Sequence, residues 1–275
     1  MPPVTVVLPV YAGADEAHLL LALASVIDQT VPAAEILVVE DGPLRRTQLA
    51  VLDDLQAATP AMRRVRLDEN AGVAVAVQAG VEAATSPWIA RMDADDIAVP
   101  HRLEAQLDAI ATGGYDVVGA AMTEFDGDPA NVVGVRRMPE EHAAIAAFLK
   151  RANPVNHPTV TFRRDLALEV GGYRPLAHLE DYDLWARMLV GGATFHNLPE
   201  PLLLFRSGDS MLARRRQRGV FRAEVTLQRN LHDYGLISRP RMAANLAART
   251  AFRALPRPLM RRAYRLLFHD RDDAS

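Results

Sequence analysis

Between Val4 and Arg91 the chain switches repeatedly between two hydrophobic periods, and this alternation restricts the fold more than any other feature. Val4 to Leu8 is a β-branched, largely apolar run closed by Pro9, and Ile36 to Val39 is a second, closing on Glu40-Asp41-Gly42. Runs of this kind suit strands buried on both faces, as parallel strands are. Between them Leu19, Leu20, Leu23, Val26 and Ile27 recur at helical spacing, so the segment reads as a βαβ unit. The pattern repeats with a helix over Leu44 to Ala58, a short strand over Val65 to Leu67, a helix over Val73 to Ala84 and a strand from Trp88. Such alternation predicts an α/β fold, with a mostly parallel central sheet and helices on both faces.

A chain of 275 residues is long enough for one large α/β domain with an appendage. Charge places the boundary. From Met211 to Ser275 there are 15 Arg against 5 Asp plus Glu, whereas Met1 to Ser210 carries 16 basic and 29 acidic residues. The sequence therefore divides into a domain over 1–210 and a basic helical C-terminal extension over 211–275. The cysteine count is 0, which removes disulfides and thiolate metal sites and fits a reducing cytosol. The N-terminus lacks a basic region followed by an apolar run, and no apolar stretch reaches the roughly 18 residues of a membrane span, so a cytoplasmic, soluble or peripheral protein is expected.

Ligands of parallel sheets gather beyond the carboxyl ends of the strands. Those ends carry Pro9-Val10-Tyr11, Glu40-Asp41-Gly42, Asp68-Glu69-Asn70 and Asp93-Ala94-Asp95-Asp96. In extended backbone Asp93 and Asp95 point the same way, and two carboxylates aimed at one point suit Mg²⁺ or Mn²⁺ with positions left open for phosphate oxygens. The same acids also suit the approach to a helix over Arg102 to Ile110, whose N-terminus favours negative charge. Four polar segments converging on one crevice favour a metal-nucleotide site. Neither a G-x-G-x-x-G turn nor a G-x-x-x-x-G-K-[ST] loop is present, which disfavours dinucleotide and P-loop chemistry.

The chain resembles the inverting glycosyltransferases of family 2, which have the GT-A fold. The matching segments are VTVVLPVY (Val4 to Tyr11), SVIDQT (Ser25 to Thr30), ILVVEDG (Ile36 to Gly42), NAGVAVAVQAGVEAA (Asn70 to Ala84), IARMDADD with VPHRLEAQL, HPTVTFRR (His157 to Arg164), GGYRP (Gly171 to Pro175), EDYDLWARM (Glu180 to Met188) and LPEPLLLFR (Leu198 to Arg206). By this resemblance Pro9, Tyr11, Asp41 and Asn70 line a nucleoside pocket, with Asp41 bonded to a uracil ring. Asp93 serves ribose and metal, and Asp95 ligates the Mn²⁺ or Mg²⁺ that bridges the diphosphate, with Asp96 as a lesser candidate. Asp181 is implied as the general base and Glu180 as its support. Ala12 and the Glu40-Asp41-Gly42-Pro43 string depart from the commoner family pattern and leave donor base and sugar open.

The implied activity is transfer of a sugar from a UDP-sugar onto a glycan or lipid-linked saccharide during polysaccharide biosynthesis. The reaction breaks the bond between the anomeric carbon and a diphosphate, so charge builds on the leaving group while the acceptor hydroxyl needs a base. Read as residues alone, Glu180 and Asp181 also suit the positive end of the helix they enter, and Asp183 falls on a different helical face. His157 and His196 suit structural hydrogen bonding, and His196 alternatively completes the metal site. The chain carries no Q-x-x-R-W string, so single additions are expected rather than processive synthesis. In the tail, Phe252, Leu255, Leu259, Tyr264, Leu266, Leu267 and Phe268 interleave with Arg253, Arg257, Arg261, Arg262 and Arg265. That pattern suits either an anionic membrane surface at the inner face or a helical cap with a solvated Arg face. Two other classes are open to the sequence: a sugar-nucleotide pyrophosphorylase, which needs a basic Gly-rich first loop that Pro9 to Gly13 does not supply, and a noncatalytic nucleic-acid-binding module using the Arg-rich tail.

Overall fold

The computed structural model describes residues 1–207 and 218–254. Its first half follows the alternation: β1 (Val4–Val10), α1 (Glu16–Ile27), β2 (Glu35–Glu40), α2 (Arg46–Ala58), β3 (Met62–Arg66), α3 (Val73–Ala83) and β4 (Trp88–Arg91). These four strands are parallel neighbours in the order β3-β2-β1-β4. After β5 (Ile97–Ala98) and α4 (Arg102–Gly113) come β6 (Val117–Asp126), β7 (Val132–Arg136), α5 (His142–Leu149), a 3₁₀ turn (His157–Thr159), β8 (Thr161–Arg163), α6 (Arg164–Glu169), α7 (Glu180–Val190) and β9 (Phe195–Ser207). Here the sheet becomes mixed. The short β8 runs antiparallel to both β4 and β6, β9 lies parallel to β6, β5 pairs antiparallel with β9, and β7 pairs antiparallel with β6. The unbroken parallel arrangement expected from the alternation thus covers β3 through β4; β8 is inserted against it, and β6 and β9 resume the direction of β4.

Alternation of side chains along the strands builds a core on each face. Val6, Leu8 and Val10 of β1 pack with α1, α2 and α4, whereas Val7 of the same strand packs with α3, α5, α6 and α7. The second core is rich in aromatics. Phe162, Tyr173 and Trp185 meet edge to face with centroids 5.6 to 6.3 Å apart, a favoured geometry for rings.

Two further helices, α8 (Arg218–Asp233) and α9 (Arg239–Ala254), form a hairpin. Leu227, Leu231 and Ile237 of that segment are buried in the same core as α7. The positions Leu255 to Phe268 of the tail reading lie outside the described residues. No helix among those described is long and apolar enough to cross a membrane.

Candidate active site

The nucleoside-side residues come together at the carboxyl ends of β1 and β2. Asp41 N–H donates to the carbonyl of Val10 at 2.7 Å, which sets Asp41 beside the residue flanked by Pro9 and the exposed Tyr11. Asn70 Nδ2 donates to the Asp41 carbonyl at 3.2 Å. The Asp41 carboxylate has a partner that the sequence did not reveal: it accepts from the N–H groups of Ala71 at 2.7 Å and Gly72 at 3.1 Å, which fixes the turn that leads into α3. Gly42 explains how two loops come so close. Its φ is +81°, and a Cβ there would sit 2.5 Å from the Asn70 amide nitrogen, so only glycine fits without strain.

The acidic turn leaves β4 one strand over. Register pairs Arg91 with Val7, so Asp93 stands level with Pro9. Asp41 is level with Tyr11 by the β1–β2 register, so Asp41 and Asp93 are two strand spacings across and two residues along, roughly 12 Å apart. Ligand oxygens of Asp93, Asp95 and Asp96 all lie within 4.8 Å of one another. Asp96 is buried, and its two oxygens differ. Oδ1 accepts from the Arg206 N–H at 2.9 Å, while Oδ2 is sealed from solvent with no hydrogen-bond partner. Burial, reinforced by the charges of Asp93 and Asp95, holds the Asp96 carboxyl well above the usual range. Arg206 at the end of β9 also donates from Nε to the Asp95 carbonyl at 3.1 Å and lies over the Phe125 ring. Three convergent carboxylates with one orphaned buried oxygen fit a hard divalent cation.

Arg91 was not among the residues picked from the sequence. Its guanidinium is buried on the same face as Ile89 and pairs with Asp93. Burial opposes its charge, but Asp93 overcomes that and raises the guanidinium above its ordinary value. A signal was present, since an Arg inside the apolar run Trp88 to Met92 must find a counter-charge. Beneath it, Arg102 donates to the Arg91 carbonyl at 2.7 Å, and burial together with the charge of Arg91 lowers Arg102 to about 9.

The second acidic pair opens α7. Glu180 and Asp181 are both buried. Burial, then the neighbouring Asp181, raises Glu180 to about 7. Burial likewise raises Asp181, opposed by hydrogen bonds from Asn153 and the Tyr182 N–H. His157 lies beside them, with Nδ1 3.9 Å from Asp181 Oδ2 and Nε2 bonded to the Tyr173 hydroxyl at 3.0 Å. Burial, with Arg91 adding to it, pushes His157 well below its ordinary value, so the ring is neutral. The charge of Arg91 acts on Glu180, Asp181, His157 and Asp96 alike, so the two acidic groups border one buried cation.

Other expectations are resolved differently. His196 stacks on Tyr115 with centroids 4.6 Å apart, and the stretch of β9 from His196 to Arg206 lies along Val118 to Phe125 of β6, seven residues or roughly 23 Å, too far to complete the metal site. Asp183 does point away from Asp181, yet it is a buried hub. It pairs with Arg187 at 2.8 Å and accepts from Asn230 Nδ2 at 2.8 Å and the Tyr234 hydroxyl at 3.0 Å of the C-terminal hairpin. Gly171 and Gly172, both with positive φ, close α6 by donating back to Leu168 and Ala167, which delivers Tyr173 to His157.

Comparison with known proteins agrees with this geometry. The model of the family described as "Glycosyl transferase family 2" matches residues 5–171. The amylovoran biosynthesis glycosyltransferase AmsE of Erwinia amylovora is 34% identical over 82% of this chain and 84% of its own. An Escherichia coli UDP-Gal:alpha-D-GlcNAc-diphosphoundecaprenol beta-1,3-galactosyltransferase is 26% identical over 93% of this chain and 92% of its own. In fold, the chain superposes on Staphylococcus aureus TarS 1-349, solved in complex with UDP-GlcNAc, with a TM-score of 0.71 at 16% identity, covering 96% of this chain and 75% of that one. The likeness makes the architecture a GT-A fold, with a curled mixed sheet between helices. These similarities displace the pyrophosphorylase and nucleic-acid readings. The chain belongs to glycosyltransferase family 2 and is a glycosyltransferase.

Proposed function

We propose that the protein is a metal-dependent, inverting glycosyltransferase that moves a sugar from a UDP-sugar to a saccharide or lipid-linked saccharide acceptor in polysaccharide biosynthesis. The observation that carries this reading is two separate acidic groups that both interact with the buried Arg91: Asp93, Asp95 and Asp96 after β4, and Glu180 and Asp181 at the start of α7. Leaving-group stabilisation and proton removal need two such groups on opposite faces of a sugar. The roughly 12 Å between Asp41 and Asp93 suits a base at one end and a diphosphate at the other. Named relatives support the substrate class: the E. coli enzyme uses UDP-Gal and a diphosphoundecaprenol acceptor, and TarS was solved with UDP-GlcNAc.

In the proposed mechanism, Pro9, Tyr11, Asp41 and Asn70 seat the nucleoside, and Asp93 turns toward the ribose. Asp93 and Asp95 would hold Mn²⁺ or Mg²⁺. When bound, that ion supplies Lewis-acid stabilisation of charge on the leaving diphosphate. Asp181 takes the proton of the acceptor hydroxyl as its oxygen attacks the anomeric carbon, and the bond to the diphosphate breaks on the opposite face, which inverts the configuration. Glu180 supports the acceptor side. We read 1–210 as the catalytic unit and 211–275 as an extension, of which the described helices α8 and α9 dock on that unit, with peripheral contact to the cytoplasmic face of a membrane through the tail.

Screening nucleotide sugars by thermal stabilisation with and without Mn²⁺ tests the reading. UDP stabilises the protein only with the cation, because ligand held by the native state raises its stability, and Asp95→Ala removes the effect. Equal stabilisation in excess EDTA contradicts the metal assignment.

A further inference from the structure

We propose that Asn153 is a positioning residue for glycosyl transfer, fixing the carboxylate of Asp181 in the orientation from which it removes the acceptor proton. The proposal rests on Asp181 being the base. Asn153 lies in the loop between α5 and the 3₁₀ turn, upstream of the segment that drew notice in the sequence. Its Nδ2 donates to Asp181 Oδ2 at 2.6 Å, and its Oδ1 faces the Val155 N–H at 3.4 Å. The second contact sets which end of the amide meets the carboxylate. Asp181 Oδ1 takes the Tyr182 N–H at 2.8 Å. Each oxygen therefore has one neutral donor, and the plane of the carboxylate is fixed while lone pairs remain for a substrate hydroxyl.

The neutrality of these donors matters chemically. A cation bonded directly to Asp181 would hold it equally well but would stabilise the anion and weaken the base. Among the described residues, the titratable and charged groups around Asp181 are Glu180 and Tyr182 on its own helix, His157 of the 3₁₀ turn, Tyr173 after α6, and Arg91 of β4. His157 is neutral and its nitrogen stands 3.9 Å away, and Arg91 is engaged by Asp93. Among the described residues, Asn153 is thus the side chain in hydrogen-bond contact with the Asp181 carboxylate.

The loop bearing Asn153 is itself held by the C-terminal hairpin. Asn245 Nδ2 donates to the Lys150 carbonyl at 2.9 Å and to Gln228 Oε1 at 2.8 Å, and Arg249 Nη2 donates to the Arg151 carbonyl at 3.0 Å. Two backbone anchors immediately before Asn153 keep its amide in reach of α7. The extension, which the charge pattern sets apart as an appendage, thereby helps define the site.

The test uses the full-length protein with the donor and acceptor found by the nucleotide-sugar screen, measuring kcat against pH for wild type, Asn153→Ala, Asn153→Asp and Asp181→Asn. UDP stabilisation with Mn²⁺ reports whether the donor site is intact. A hydrogen bond to a charged group is worth about 1.5–3 kcal/mol, or about 10–100-fold in rate. Asn153→Ala is expected to lose that factor in kcat, keep UDP stabilisation and shift the acid limb to higher pH, since the anion has lost a donor. Asn153→Asp preserves shape but sets two carboxylates together, so it is expected to be worse than Ala at neutral pH and to recover on the alkaline side. If Asn153 only fills space, the near-isosteric Asp will be the milder change, and that order overturns the proposal. A wild-type kcat and acid limb in Asn153→Ala, with Asp181→Asn inactive, also overturns it while leaving the base assignment standing. Near-normal turnover in Asp181→Asn removes the base assignment itself and this proposal with it.

Discussion

Asp183→Ala is predicted to cost far more than its distance from the chemistry suggests. The side chain is 1% exposed, and its partner Arg187 is 6% exposed. Removing one member of a buried ion pair strands the other, at about 3–5 kcal/mol. Arg187 would keep its bonds to the carbonyls of Val170 and Gly172, each at 2.6 Å, but lose its counter-charge. The amide of Asn230 would also lose its acceptor, adding about 1 kcal/mol. The sum, about 4–6 kcal/mol, is a large share of the roughly 5–15 kcal/mol that stabilises a native protein. At about 2–4 °C per kcal/mol for a domain of this size, calorimetry should show Tm lowered by about 10–20 °C. Asp183→Asn keeps the shape and one acceptor and should cost roughly half as much. The substitution is therefore no silent control for Asp181, although the two side chains point apart. A Tm within about 3 °C of wild type for the Ala variant would refute the hub.

Three further outcomes follow from individual contacts. Glu180 is held at about 7 in the folded protein against an ordinary 4.5, so the native state binds its proton more tightly than the unfolded chain. Stability is then lost as pH rises from 4.5 through 7, and Glu180→Gln should be the more stable protein above pH 7, by at most about 3 kcal/mol, with no advantage below pH 4; urea midpoints that keep the same difference at both ends would contradict this. Gly42→Ala forces a Cβ against the Asn70 backbone at positive φ, so it should lose about 1–3 kcal/mol of stability and weaken UDP binding by calorimetric titration, whereas an unchanged Kd would detach Gly42 from the nucleoside pocket. Deleting residues 255–275 should leave Tm and UDP stabilisation in place and reduce flotation with anionic vesicles if the tail contacts membrane, and undiminished flotation would remove that role from the tail.

The legible part of the molecule is the part specified by local pattern. Strands β1 to β4 and helices α1 to α4 announce themselves by period, and their polar ends, from Pro9 to Asp95, meet because a parallel sheet gathers its carboxyl ends. Where pairing depends on long-range register the sequence is silent. The short Thr161–Arg163 strand carries no signal that it will slot between β4 and β6 and run against both. Residues that act on other residues were also hidden. Asn153 is an ordinary loop asparagine until the fold brings it 28 positions along to Asp181. Asp41 reads as a ligand to a base and, in addition, holds the Ala71–Gly72 turn before α3. Arg91 alone left a trace, as an unexplained charge in an apolar run.

Single-turnover transfer by Asp181→Asn, with the matched donor and acceptor, bears most directly on the mechanism. The substitution is near-isosteric, and the amide cannot take a proton. Asp41, Asp93 and Asp95 lie on other segments, so Mn²⁺-dependent stabilisation by UDP should be retained. The rate should fall by roughly 10²–10⁴-fold, the worth of a positioned general base, and the product of wild-type transfer should carry the inverted anomeric configuration. Near-normal turnover in the Asn variant, or a retained configuration in the wild-type product, would contradict the account.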